Sequence, residues 1–196
     1  MFTGIVQEIG RTREADSSSL TVEARASLEG LHQGDSIAVN GTCLTVTAIG
    51  EGCFSVDTMT ETLRRTNLGL LRPGDPVNLE KSPTFSSPLG GHLVQGHVDA
   101  TGALLSVQPE GEALLMRFQA PPQVMRYVVE KGFIAVDGVS LTVMAYDASS
   151  FTISVVQYTQ ENTNLGRRVP GDVVNLEVDI VAKYVEKLLL ARGESS

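Results

Sequence analysis

Along most of the chain, apolar and polar residues alternate or bunch into short runs. "SIAVNG", "CLTVTAI", "CFSVDTM" and "PVNLE" are rich in valine, isoleucine and threonine and are bounded by glycine, proline and aspartate. Such runs, about four to eight residues between turn formers, predict β-strands. Roughly five or six of them fall in each stretch of about 85 residues, which suits a small closed barrel, because closure removes strand edges that would pair with other chains. A parallel α/β sheet would need helices of about ten or more residues between strands, and the connections are too short.

The pattern changes after Asp179. In "DIVAKYVEKLLLAR" the residues Ile180, Val181, Tyr184, Val185, Leu188 and Leu189 fall on one helical stripe, with Asp179 as N-cap. An apolar stripe on a terminal helix needs a covering surface. Spacing leaves two open: the helix packs on its own domain, or it joins subunits.

The chain also repeats itself. Shifted by 97 positions, Gln33–Glu80 aligns without a gap on Glu130–Glu177, with about 21 identities in the 48 pairs. "TNLGLLRPGDPVNLE" returns as "TNLGRRVPGDVVNLE", and "TGIVQEIG" resembles "QGHVDATG" with Gly4 over Gly96. Two homologous domains follow, expected at 1–88 and 89–178, with the helix and tail at 179–196. "RPGD" and "VPGD" recur in both halves and read as turns.

Composition narrows the function. The 196 residues are 42% hydrophobic and 19% charged, as in a folded globular protein. A net charge of -8 argues against nucleic-acid binding, which needs an excess of lysine and arginine. No apolar run approaches the roughly 18 to 20 residues that span a bilayer, and the start lacks the features of a signal peptide, so a cytoplasmic protein without membrane contact is expected. Cys43 and Cys53 are the only cysteines, and reduced thiols are expected. His92 and His97, five apart in "GGHLVQGHVD", fall on opposite faces of a strand and make a poor metal pair. No metal site is expected.

"MFTGIVQ", "NGTCLTV", "ETLRRTNLG", "GGHLVQGHVD", "KGFIAVDGVSLTV" and the C-terminal helix, in this order, resemble the riboflavin synthases over essentially the whole chain. The resemblance implies an all-β protein of two six-stranded Greek-key barrels in tandem plus a C-terminal α-helix. It implies a dismutation of two 6,7-dimethyl-8-ribityllumazine molecules, one giving a four-carbon unit to the other, to form riboflavin and 5-amino-6-ribitylaminouracil without a cofactor. It further implies a homotrimer, with the active site between barrels of neighbouring subunits, and leaves open an association with lumazine synthase.

Such a reaction needs one substrate to lose protons and the other to be attacked, so paired pockets must carry unequal groups. The repeat shows inequalities: Cys43 stands over Ser140, His97 over Ile5, Lys131 over Gly34 and Ser36 over Phe133. His97 is a candidate proton shuttle, because imidazole titrates near neutrality. Cys43 is a candidate nucleophile or hydrogen-bond partner, although a lone cysteine in a strand also serves as a small core residue. Lys131 is either a solvated turn residue or a charge that reaches the ribityl chain or the ring. With the resemblance, the expected catalytic set is His97, Cys43, Lys131, Ser140, Thr142 and Ser36.

The expected substrate-binding set, by the same resemblance, is Gly4, Ile5, Val6, Cys43, Leu44, Thr45, Asp57, Thr58, Met59, Thr60, Glu61 and Thr62 in the first barrel. In the second it is Gly96, His97, Val98, Lys131, Ser140, Leu141, Thr142, Ser154, Val155, Val156, Gln157, Tyr158 and Thr159. For the side chains of Val6, Leu44, Val98 and Leu141, simple barrel core is the other reading. The change from "DTMTET" to "SVVQYT" suggests that the two pockets hold ribityl unequally. Two other readings stand beside the enzyme: a non-catalytic lumazine or flavin carrier of the same fold, and a structural protein built from duplicated barrels.

Overall fold

The computed structural model describes residues 1–84 and 86–193. Its first half holds β1 (Glu8–Ala15), β2 (Ser19–Glu23), β3 (Ser36–Val39), β4 (Thr42–Gly50), β5 (Cys53–Asp57), α1 (Thr60–Arg65) and β6 (Pro76–Lys81). The second half repeats them as β7 (Ala100–Glu110), β8 (Ala113–Gln119), β9 (Phe133–Val136), β10 (Val139–Tyr146), β11 (Ser150–Val155), α3 (Gln157–Asn162) and β12 (Val173–Val178). A short helix α2 (Pro122–Met125) is added before β9, and α4 (Ile180–Gly193) follows β12.

Each half closes into an antiparallel barrel, in the orders β1-β2-β5-β4-β3-β6 and β7-β8-β11-β10-β9-β12. Closure needs sharp local twist, and bulges supply it at matching places: Thr12/Glu14 and Val46/Ala48 in the first barrel, Leu104/Ser106 and Val143/Ala145 in the second. The inward faces carry the repeated apolar residues. Phe54, Val77 and Leu79 in one core, and Phe151, Val174 and Leu176 in the other, are fully buried. Emptying either phenylalanine site to alanine would cost about 3 to 5 kcal/mol.

The barrels meet through their outer walls around a local twofold axis. Hairpins β3–β4 and β9–β10 turn on Asn40-Gly41 and Asp137-Gly138, with all four residues at positive φ, as a two-residue turn of this hand requires. The tips touch: a Cβ on Gly41 would lie 2.6 Å from Gly138 N, and one on Gly138 would lie 2.6 Å from Gly41 N. Around this contact asparagines cross between the barrels. Asn67 N donates to Asn175 Oδ1 at 2.7 Å and Asn164 N donates to Asn78 Oδ1 at 2.7 Å. The symmetry breaks at one pair, where Arg168 Nη2 donates to the fully buried Asp137 Oδ2 at 2.6 Å. The first barrel has Asn40 and Leu71 there. Burial pushes the Asp137 carboxyl up, and the Arg168 guanidinium opposes that shift.

Helix α4 starts as the sequence predicts, with Asp179 Oδ1 accepting from Val181 N at 2.9 Å. Its apolar stripe does not pack on its own barrel. The helix is tied down by polar residues: Lys183 Nζ donates to Asp99 Oδ1 at 2.5 Å, Tyr127 donates to Glu186 at 2.6 Å, and Arg126 pairs with Glu186. Val181, Tyr184, Val185, Leu188, Leu189 and Leu190 are all exposed, between 50% and 67%. Among the described residues no helix is long and apolar enough to cross a membrane.

Candidate functional site on the outer barrel walls

Strand alternation decides which expected site residues are accessible. On β4, Leu44 and Val46 point into the core while Cys43 and Thr45 point outward. Their register partners on β3 are Ala38 and Ser36, so Ser36, Cys43 and Thr45 share one outer patch. The second barrel repeats this with Phe133, Ser140 and Thr142 on β9 and β10. The side chains of Leu44, Leu141 and Val155 belong to the cores, and Thr58 is buried, so any contact of Leu44, Leu141 or Val155 with a ligand is through backbone.

A backbone strip edges each patch. β5 pairs with β4 only from Val46 onward, and β11 pairs with β10 only from Val143 onward. That leaves Cys43 N and Ser140 N free for other partners. Cys43 N donates to Gly96 O at 2.9 Å, and Ser140 N donates to Gly4 O at 2.8 Å. Only glycine suits these two strip positions: both have φ near +77°, and a Cβ on either would stand 2.6 Å from the Cβ of the residue it borders.

This arrangement corrects the grouping expected from sequence. Gly4, Ile5 and Val6 edge the second barrel, with Val6 packed on its core, and Gly96, His97 and Val98 edge the first. Each strip therefore hydrogen-bonds to the barrel of the other half. The two strips pair with each other through Phe2 and Val94, whose side chains are buried with Ala38 and Ala135 and have Cys43 packed against them. Cys43 is thus both a patch residue and part of a small apolar cluster.

The two patches differ in their polar groups. In the second, His92 Nδ1 and Ser140 Oγ are 2.7 Å apart, and the imidazole stacks on Phe133 at 5.2 Å between centroids and 8° between planes. Burial pushes the His92 pKa down, with Asp179 opposing, so the ring is held neutral. His92 Nε2 is buried without a hydrogen-bond partner among the described residues. In the first patch no described side chain hydrogen-bonds to Cys43. His97 is exposed. Cys43 and Cys53 are both free thiols, and Cys53 is buried with Arg13 Nη1 at 3.6 Å from its sulfur.

The remaining expected residues flank the patches. Asp57, Met59, Thr60 and Glu61 at the start of α1, and Val156, Gln157 and Tyr158 at the start of α3, are exposed. Thr62, Ser154 and Thr159 are half-buried. These helices follow β5 and β11, the neighbours of β4 and β10. Glu61 is engaged by Arg64 at 2.6 Å and by Arg65. Lys131 is exposed at φ +65°, where the first barrel has Gly34 at φ +92°. A side chain in that region costs about 1 to 2 kcal/mol, and strain of this kind collects at functional sites.

Sequence reasoning missed His92 and Phe133 as site residues, and Asp179 as more than a cap. His92 lay in the quoted "GGHLVQGHVD", but spacing along the chain does not reveal that Gly91, at φ +68°, brings it against Ser140. Two buried carboxylates were also missed. Glu80 Oε1 accepts from Thr3 N and Thr3 Oγ1, both at 2.7 Å, and its Oε2 accepts from Gly4 N at 3.0 Å. Glu177 Oε1 accepts from Gln95 N at 2.6 Å. Burial pushes both carboxyls up, and the backbone amides of the strips oppose it.

Comparison with known proteins gives the family and the fold. A model of the lumazine binding domain matches twice, at residues 3–82 and 95–179. A riboflavin synthase of Mycobacterium tuberculosis is 50% identical, over 98% of this chain and 100% of its own length. Those of Actinobacillus pleuropneumoniae and Bacillus subtilis are 44% and 38% identical, over 98% and 100% of this chain and 91% and 93% of their own lengths. Among solved structures, LumP complexed with riboflavin is similar with a TM-score of 0.84 at 26% identity, over 91% of this chain and 99% of that one. LumP complexed with 6,7-dimethyl-8-(1'-D-ribityl) lumazine has a TM-score of 0.82, also at 26% identity. With its two matched domains, its two glycine-edged patches and this likeness along nearly its whole length, the chain belongs to the riboflavin synthase family.

Proposed function

We propose that the two outer-wall patches each bind one 6,7-dimethyl-8-ribityllumazine and that the protein transfers four carbons from one to the other, releasing riboflavin and 5-amino-6-ribitylaminouracil. Two substrate molecules equal the two products in every element, so no oxidant, reductant or cofactor enters the balance. The observation that carries the reading is the unequal pair at equivalent positions: the Cys43 thiol without a hydrogen-bond partner among the described residues, and Ser140 against a neutral imidazole.

The chemistry divides accordingly. A neutral His92 can take the Ser140 hydroxyl proton at Nδ1 and leave Oγ electron-rich toward a ring carbon. His97, exposed on the opposite strip, is the candidate to accept a proton from the C7 methyl of the other lumazine. Lys131 and Thr142 border the Ser140 patch, and Ser36 and Thr45 border the Cys43 patch, as donors to ring oxygens and ribityl hydroxyls. Backbone of Gly4–Val6 and Gly96–Val98 reads the ring edges.

Each patch is an open outer wall and not an enclosed cavity, which favours completion by a second subunit. The exposed stripe on α4 supports a homotrimer in which it is buried. Cytoplasmic location and association with lumazine synthase belong to the same reading. A carrier is the second reading, favoured by the likeness to LumP, whose solved complexes hold riboflavin, flavin mononucleotide and the lumazine. Incubating the purified protein with the lumazine alone separates the two. Riboflavin at half the lumazine consumed is expected, and lumazine bound without conversion would make the protein a carrier.

A further inference from the structure

We propose that Glu80 and Glu177 are crossed positioning residues: Glu80, on the first barrel, sets the strip that edges the Ser140 patch of the second, and Glu177, on the second, sets the strip that edges the Cys43 patch of the first. The proposal rests on reading these patches as ligand sites.

Both glutamates lie on outer walls, one register step from the patches: Glu80 pairs with Ala38, which pairs with Cys43, and Glu177 pairs with Ala135, which pairs with Ser140. Their carboxylates do not serve the adjacent patch. Glu80 takes three hydrogen bonds from Thr3 and Gly4, and Gly4 turns its carbonyl to Ser140 N across the barrel junction. Glu177 holds Gln95 N, and Gly96, the next residue, turns its carbonyl to Cys43 N. Gly4 alone therefore links the Glu80 carboxylate to the strand that carries Ser140, and Gln95 with Gly96 links Glu177 to the strand that carries Cys43. Because each Gly Cα lies against the Cys43 or Ser140 backbone with no room for a Cβ, a small shift of a strip changes the width of the groove beside it.

The anchors are unequal. Glu80 uses both oxygens, whereas Glu177 Oε2 has no hydrogen-bond partner among the described residues. An amide at position 177 can keep the Gln95 bond with its carbonyl and set its NH2 where Oε2 stands, facing the Gly96 and His97 amides from beyond hydrogen-bond range. An amide at position 80 must set an NH2 against the N–H of Gly4 or the donors of Thr3. Glu80→Gln should therefore loosen its strip more than Glu177→Gln does.

Amide hydrogen exchange at two reporter positions in the full chain tests the crossing. In Glu80→Gln the Ser140 amide should exchange about tenfold faster, with Cys43 unchanged within about twofold. Thr3→Val, which deletes one of the three bonds and leaves the carboxylate in place, should do the same to Ser140 by about threefold. Glu177→Leu, which removes the acceptor, should speed exchange at Cys43 and spare Ser140. Equal acceleration at both amides, or acceleration on the glutamate's own barrel, overturns the proposal. A riboflavin titration read at the same amides supplies the functional arm: in Glu80→Gln the midpoint at Ser140 should rise about fivefold while that at Cys43 stays. Crossed exchange with no riboflavin shift at either amide would overturn the site reading and leave the anchoring. Uncrossed exchange with riboflavin shifts at both would overturn the anchoring and leave the sites.

Discussion

The first and second barrels are alike inside and unlike outside. Ile37, Val39, Leu44, Val46, Phe54, Val77 and Leu79 recur unchanged as Ile134, Val136, Leu141, Val143, Phe151, Val174 and Leu176, and all are buried. The outward positions diverge: Ser36 to Phe133, Cys43 to Ser140, Asn40 to Asp137, Leu71 to Arg168, Gly34 to Lys131 and Ser82 to Asp179. Close packing explains the first set, since a changed volume in either core is felt as a cavity or a clash. Outer-wall positions away from the junction carry less of that constraint, and at the junction the fully buried Asn40 and Asp137 differ only as amide and carboxylate of the same shape. After duplication these positions are where one half can acquire an imidazole-serine pair and a buried ion pair while the other keeps a thiol and amides.

The comparison breaks most severely at the buried ion pair. Arg168→Leu places in the second barrel the residue the first has, but leaves Asp137 buried without its countercharge, and should lower the unfolding free energy by about 3 to 5 kcal/mol in urea titration. Asp137→Asn with Arg168→Leu recreates the Asn40/Leu71 arrangement and should recover most of that loss. A double variant as unstable as the single would show that the two halves do not solve the junction in equivalent ways.

Next in size is the reactive pair. Ser140→Ala should lower turnover about 100-fold, close to 2.7 kcal/mol of barrier, and Cys43→Ala about tenfold, because only Ser140 has an imidazole against it. Equal losses in steady-state assays would remove the chemical distinction between the patches.

A smaller effect concerns pH. His92 has its pKa held below its ordinary 6.5 in the folded protein, so the unfolded chain binds more protons as pH falls through that region. Its contribution is fully present above 6.5 and declines as pH drops toward the folded value. Glu80 and Glu177, with raised pKa values, act in the opposite sense: their contribution is fully present below 4.5 and is lost as pH rises through the folded values. Midpoints of urea unfolding at pH 7.5 and 5.5 should therefore differ less in His92→Gln than in the parent. An unchanged difference would mean that the ring is not held neutral.

The smallest effect is expected at Lys131. Replacing it by the glycine found at position 34 relieves a left-handed side chain and adds freedom to the unfolded chain, for a net gain of up to about 0.5 kcal/mol. Turnover should fall in the same variant. A rise in stability with full turnover would make Lys131 a solvated turn residue.

Much of this architecture was legible in the sequence, for reasons visible in particular residues. Period-two runs such as "CLTVTAI" and the 97-residue repeat fix the strands and the duplication, and Asp179 announces α4. Local signals do not say which strip meets which barrel: homology places Gly4 over Gly96, but only tertiary structure sends each to the opposite patch. Nor does a helical stripe reveal that Lys183 and Glu186 face the barrel while the leucines face out. For Leu44 and Leu141 the core reading was legible beside the site reading, and alternation puts their side chains, with that of Val155, in the cores.

Two equivalent patches on one chain have been made unequal. A single titration with riboflavin, followed at the Cys43 and Ser140 amides by nuclear magnetic resonance, tests that inequality most directly. Two midpoints that differ, one for each amide, are expected. A common midpoint, with both amides shifting together, would contradict it.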